Sequence, residues 1–153
     1  MANQTTSDIA VSASPAQVMS VIADFGAYPE WATGVRECEV TVPGADGRAE
    51  QVRFVLDAAP IRDEYTLTYT WSGNASVTWT LAQGHMIKAM DGAYVVSEQP
   101  DGTTEVTYRL AVDVAIPLLG MLKRKAEKVI IDTALKGLKK RVEATEAGDG
   151  QAH

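Results

Sequence analysis

The chain has 153 residues, 46% of them hydrophobic and 22% charged, the size and composition of one folded domain, which excludes a disordered polymer. Its net charge of −6 argues against a general nucleic-acid-binding surface. A single cysteine, Cys38, excludes an internal disulfide framework and a cysteine-cluster metal site, and no apolar run reaches the roughly 20 residues that span a bilayer.

Residues 1–8 have neither a basic start nor an apolar core, so no signal peptide is expected and the expected location is cytoplasmic. A strand is predicted over 7–12, where Ile9 and Val11 alternate with small or polar neighbours. Ser14-Pro15-Ala16-Gln17 then marks a helix start. The serine caps free N–H groups, the proline suits the first helical position, and the glutamine completes a capping box. Val18, Met19, Val21 and Ile22 form the apolar stripe of that helix, which ends near Asp24-Phe25-Gly26. A second helical turn is expected over 27–31.

From Gly34 to Ile116 the period changes to two. Cys38, Val40 and Val42 fall in one phase, and 43–47 read as a loop. Val52, Phe54 and Leu56 form the next strand. Tyr65, Leu67, Tyr69 and Trp71 alternate with Thr66, Thr68 and Thr70, the cleanest strand pattern in the chain. Ser72-Gly73-Asn74 is a turn into Val77, Trp79 and Leu81. A further pair of strands is predicted to join around Met90-Asp91-Gly92, and Pro100-Asp101-Gly102 turns into a last strand carrying Val106, Tyr108, Leu110, Val112 and Val114 on one side. Connections this short favour an antiparallel meander.

A long helix is predicted over 118–145. Leu119, Ala126, Ile130, Ala134, Gly137 and Leu138 share one face, and Ile131, Leu135 and Val142 extend the stripe. Lys125, Lys128, Asp132, Lys136, Lys139 and Glu143 lie opposite. Residues 118–153 hold 8 basic and 5 acidic side chains, against 6 and 15 before them, and the local excess reads as a solvated helix face. Gly148 punctuates the end, so 147–153 are expected to be a flexible tail and 1–146 a single domain.

This order gives an α+β domain in which only the last helix is long enough to cover the apolar face of the sheet. Small helix residues then oppose large strand aromatics, an arrangement that serves either close packing or a cavity for an apolar guest.

Four segments carry a family resemblance: Ser14-Pro15-Ala16-Gln17-Val18, Phe25-Gly26-Ala27-Tyr28-Pro29-Glu30-Trp31, Gly102-Thr103-Thr104-Glu105-Val106-Thr107-Tyr108, and the basic amphipathic end. Over residues 5–146 the chain resembles the polyketide cyclase/dehydrase-type branch of the START-like (SRPBCC) superfamily. The resemblance implies a helix-grip fold: a seven-stranded antiparallel sheet wrapped around the C-terminal helix, two short helices after the first strand, and a hydrophobic cavity between sheet and helix. It also implies a choice among lipid carriage, quinone binding, hormone reception and aromatase/cyclase activity.

The expected ligand-binding residues are Trp31, Phe54, Tyr65, Tyr69, Trp71, Trp79, Met90, Tyr94, Tyr108, Leu122, Ala126 and Ile130. For Trp31 a packing plug between the short helices and the sheet is the competing reading. His85 has no second histidine and no clustered carboxylate, so it reads as structural or solvent-exposed, and no metal or cofactor is expected. Cys38 reads as a small buried residue. Asp57, Asp63, Glu64 and Asp113 fall out of phase with the apolar side and read as solvent-facing. Lys123 and Glu127 drift toward the apolar stripe, to pair across one turn at a cavity rim or to hold a ligand's polar head.

The first functional expectation is non-catalytic binding or transport of a hydrophobic small molecule by a monomer or homodimer. Transient membrane contact is left open at the cluster Lys123-Arg124-Lys125 with Lys128. The alternatives are a polyketide aromatase/cyclase or dehydratase, with Tyr69, Tyr108 and Arg53 polarising carbonyls or moving protons, and a protein-interaction module with a vestigial cavity.

Overall fold

The computed structural model describes residues 4–58, 61–115 and 120–151. Strand β1 (Thr5–Val11) leads into α1 (Pro15–Ala23), which opens on the predicted capping box. The Gln17 N–H donates to Ser14 Oγ at 3.2 Å, and the Ser14 N–H donates to Gln17 Oε1 at 3.1 Å. One 3-10 turn (Phe25–Ala27) and the short α2 (Tyr28–Trp31) follow. The remaining strands are β2 (Val35–Val42), β3 (Gln51–Ala58), β4 (Ile61–Ser72), β5 (Ser76–Gln83), β6 (Ile87–Glu98) and β7 (Thr104–Val114), before α3 (Gly120–Gln151). All seven pair antiparallel in the order β1-β7-β6-β5-β4-β3-β2. This is the helix-grip architecture.

The predicted turns at 72–74 and 100–102 form, with Gly73 at φ +55° and Gly102 at φ +89°, conformations that glycine adopts without a Cβ penalty. The join predicted at Met90-Asp91-Gly92 does not exist. β6 runs straight through these residues, and the chain reverses at 84–86 instead. Gly92 stands opposite Trp79 of β5, and a Cβ there would collide with the indole. The glycine makes room for a ring; it does not turn the chain.

Asp63 also departs from expectation. Its side chain is only 4% exposed. The N–H groups of His85 and Ile87 donate to Asp63 Oδ2 at 3.0 and 2.8 Å, and that of Glu64 to Oδ1 at 2.9 Å, so the carboxylate anchors the β5–β6 turn. Burial raises its pKa, but the N–H groups of Ile87, His85, Met86 and Glu64 outweigh burial and hold it below the ordinary carboxylate value. A depressed folded pKa contributes stability above the unfolded pKa of about 3.9, and the contribution is lost as pH falls through the folded value. Asp63→Asn is therefore expected to cost about 1–3 kcal/mol at pH 7 and to flatten the loss of stability below pH 4, as read from urea titrations across that range.

α3 packs against β1 and β7, with α1 alongside it. The predicted stripe is rotated. Ile131, Leu135, Leu138 and Val142 are the fully buried row, while Ile130 and Ala134 are half-buried beside them. Lys125 and Lys136 of the face expected to be solvated are exposed, whereas Lys128, Lys139 and Glu143 reach the free edge of β1. Lys128 Nζ donates to Ser7 Oγ at 2.8 Å, Lys139 Nζ to the Ala10 carbonyl at 2.8 Å, and the Ser12 N–H to Glu143 Oε2 at 2.9 Å. These contacts occupy an edge that would otherwise template strand pairing. The helix continues past Gly148 to Gln151; one helical glycine costs only about 1 kcal/mol against alanine and does not by itself stop a helix. The expected start at Leu118 and Leu119 lies outside the described residues.

Candidate ligand cavity

A cavity of about 90 Å3 lies between the inner face of the sheet, α2 and the middle of α3. Its sheet wall comes from Phe54 and Leu56 of β3, Tyr65, Leu67 and Tyr69 of β4, and Trp79 of β5. β6 adds Ile87, Met90 and Tyr94, and β7 adds Tyr108, Leu110 and Val112. Tyr28, Trp31 and residues 32, 33 and 35 close one side, and Ile130 and Ala134 of α3 close another.

Strand register makes the wall a continuous aromatic band. Phe54 stands opposite Tyr65, Tyr69 opposite Trp79, and Tyr94 opposite Tyr108. Ring centroids are 5.4 Å apart for Phe54 and Tyr65, 5.7 Å for Tyr69 and Trp79, and 4.6 Å for Tyr94 and Tyr108. Trp79 meets Tyr108 edge-on at 5.5 Å. Such stacked and edge contacts hold the rings by more than area burial alone.

The polar content of the wall is mainly phenolic, with Thr33 and the Trp31 indole beside the tyrosines. Tyr28 donates its hydroxyl to the Ile22 carbonyl at 2.5 Å. Among the described residues, the hydroxyls of Tyr65, Tyr69, Tyr94 and Tyr108 have no hydrogen-bond partner. Burial pushes all four pKa values up, so each phenol stays neutral and able to donate. None of the four hydroxyls is fully enclosed, so each faces open space in which a guest's acceptor oxygen can take its hydrogen bond. Tyr→Phe changes at 65, 69, 94 and 108 are therefore expected to leave stability unchanged or slightly raised, whereas Tyr28→Phe loses about 1 kcal/mol; thermal melts of the five variants check this.

The structure brings Trp31, Phe54, Tyr65, Tyr69, Trp79, Met90, Tyr94, Tyr108 and Ile130 together at the lining and leaves three expected residues outside it. Trp71 shares the phase of Tyr69 but lies beyond the end of the cavity, where its indole N–H donates to the Ala49 carbonyl at 2.7 Å and the Arg48 guanidinium sits 5.3 Å from the ring. Leu122 is 47% exposed on the outer side of α3. Ala126 is buried but does not border the void. Ten lining residues fall outside that expectation, Tyr28 and Ala134 among them. The signals were present, Tyr28 in the Tyr-Pro-Glu-Trp segment and Ala134 on the apolar stripe.

His85 is exposed, as its reading expects, while the other polar candidates resolve differently. Arg53 lies away from the lining, pairing with Glu64 at 2.6 Å and Glu37 at 3.9 Å. Lys123 and Glu127 do not meet: Lys123 pairs with Asp113 at 2.9 Å, and Glu127 is 1% exposed, accepting from Thr5 Oγ1 at 2.7 Å and the Val112 N–H at 2.8 Å. His85 is exposed, with Nδ1 3.0 Å from the Glu64 carbonyl. Cys38 is half-buried, its thiol pKa pushed up to about 12 by burial, while its phase-mate Val40 is 43% exposed on the edge strand. Among the described residues no group of three or more His, Cys, Asp or Glu side chains is placed to hold a metal ion, and no helix is long and apolar enough to cross a membrane.

A sequence-family model described as polyketide cyclase/dehydrase and lipid transport matches residues 3–143. The chain belongs to this family. It is thereby a member of the START-like (SRPBCC) superfamily of hydrophobic-ligand binders and polyketide cyclases. No curated protein matches it in sequence. Among solved structures, a START superfamily protein from Mycobacterium smegmatis is similar with a TM-score of 0.86 at 22% identity, covering 94% of this chain and 99% of that one. A Thermus thermophilus protein is similar with a TM-score of 0.76 at 20% identity, over 93% and 98% of the two chains. An aromatase/cyclase, Zhui, from a Streptomyces species is similar with a TM-score of 0.71 at 14% identity, over 94% of each. At these identities the structural likenesses establish the shared fold, which agrees with the family assignment.

Proposed function

We propose that the protein binds or carries, without transforming it, a hydrophobic small molecule bearing acceptor oxygens. The observation that carries this reading is the set of four neutral phenols without partners around an otherwise apolar cavity. At about 90 Å3 the cavity holds only a few heavy atoms as it stands, well below the roughly 300–1,000 Å3 of pockets for drug-sized ligands. A larger guest requires the aromatic band or α2 to repack, and binding then reports on that rearrangement.

The alternative, an aromatase/cyclase or dehydratase acting on a poly-ketone, draws on the same phenols, with Tyr69 and Tyr108 donating to substrate carbonyls. Their raised pKa values suit them to donation and not to proton abstraction. Arg53 and His85 stand away from the lining, which favours binding over turnover. Acetophenone and ethylbenzene, alike in size but not in oxygen, test the reading by calorimetric titration. Acetophenone is expected to bind tighter, and at least one of the four Tyr→Phe variants is expected to remove about fivefold of its affinity while sparing ethylbenzene. Equal affinity for the two guests in every variant would refute the role given to the phenols.

A further inference from the structure

Trp31 and Thr33 border a second space as well as the cavity. This is an open groove of about 550 Å3 between α2 and the C-terminal half of α3, whose helix wall comes from residues 133, 136, 137, 140, 141 and 144. Gly137 lets the two elements meet closely, since a Cβ there would lie 2.5 Å from the Trp31 carbonyl oxygen. The Trp31 side chain is thus the partition between an apolar interior and a basic exterior. Its indole N–H is enclosed and has no hydrogen-bond partner among the described residues, so this partition carries an unmet polar demand.

The groove's charges are lopsided. Its one acid, Glu30, is engaged by Arg141 at 2.9 Å. Lys136 and Lys140, one helical turn apart, are exposed and make no ion pair or hydrogen bond among the described residues; Asp132, toward which Lys136 exerts a weaker pull, is held at 2.8 Å by Lys128. Like charges at this spacing repel, and nothing within the groove offsets them. An anion would.

We propose that this groove seats the acidic head, carboxylate or phosphate, of an amphipathic ligand whose apolar part enters the cavity past Trp31. The proposal rests on the cavity being a binding site and adds to it the charge of the ligand and its point of entry. Lys136 and Lys140 hold the head. The Trp31 side chain turns aside for the chain, which frees its N–H to meet an acceptor.

Octanoate, octyl phosphate and the neutral octanol share a chain and differ in the head. Titrated at low salt, the two acids are expected to bind at least about tenfold tighter than octanol, and added salt is expected to narrow the gap. Lys136→Gln/Lys140→Gln should bring the acids to octanol's level and leave octanol unchanged. Lys88→Gln/Lys125→Gln, which removes the same charge elsewhere, should change neither. If the acids bind no better than octanol, or lose affinity equally in both double variants, the head-group seat is wrong and the cavity reading survives. If none of the three binds, the cavity reading fails and the seat fails with it.

Discussion

Glu127→Ala is expected to lower the unfolding free energy by about 2–4 kcal/mol, and Glu127→Gln by less than about 1 kcal/mol. Glu127 is the one acid among the described residues that is buried as a whole residue. The described pairing of β1 with β7 ends with Thr5 opposite Leu110. Two residues further along β7, the Val112 N–H donates to Glu127 Oε2, and Thr5 Oγ1 donates to Oε1. The side chain thus joins α3 to both strands where the strand pairing stops. Alanine strands a buried N–H and leaves a small void, two costs of separate origin. Glutamine keeps the shape; its oxygen accepts from Val112 and its amide donates to Thr5 Oγ1. At roughly 2–4 °C per kcal/mol for a chain of this size, the two melting temperatures separate clearly. Equal losses in both variants would mean that charge, not hydrogen bonding, is what this position supplies.

The local chemistry of the fold was legible in the sequence; its long-range approaches were not. Ser14 and Gln17 satisfy each other within one turn of helix, and Gly73 and Gly102 take up conformations that their own turns demand, so short windows suffice. Gly92 has the same local appearance, an Asp-Gly pair between apolar runs, but its cause is the Trp79 ring on another strand. Asp63 reads as a solvent-facing residue because alternation ignores the unpaired N–H groups of the next turn, which fold back onto it. Glu127 reads as a rim residue for the same reason: its partners lie 122 and 15 positions away.

The candidate site was legible by face and not by extent. Alternation placed Tyr65, Tyr69 and Trp71 on one side of β4, and they are on one side. It carries no information about where along that side the helix cover ends, so by alternation Trp71 reads as part of a cavity it lies beyond. On α3 a helical wheel gives the apolar arc but not how far along the helix the void runs: Ala126 and Ala134 share one row, about 12 Å apart, and only Ala134 borders the void. That extent is set by how α3 packs against β1 and β7.

The place of the void along α3 is open to measurement, because leucine at the two alanines should have opposite consequences. Ala134 borders a void of about 90 Å3, and leucine there adds three carbons into space that holds no protein atoms. Burying those carbons is worth about 0.8 kcal/mol each, which offsets the strain of fitting a branched chain beside the aromatic band. Stability is expected to change by less than about 1 kcal/mol, while uptake of a neutral fluorescent guest such as phenylnaphthylamine falls more than tenfold. Ala126 is buried away from the void, so the same substitution overpacks a filled region and is expected to cost about 1–3 kcal/mol, with uptake per folded molecule retained. Thermal melts beside guest titrations on both variants separate the cases. If Ala134→Leu is the destabilised variant and Ala126→Leu the one that loses uptake, the void lies toward the start of α3 and the lining residues assigned to it are wrong.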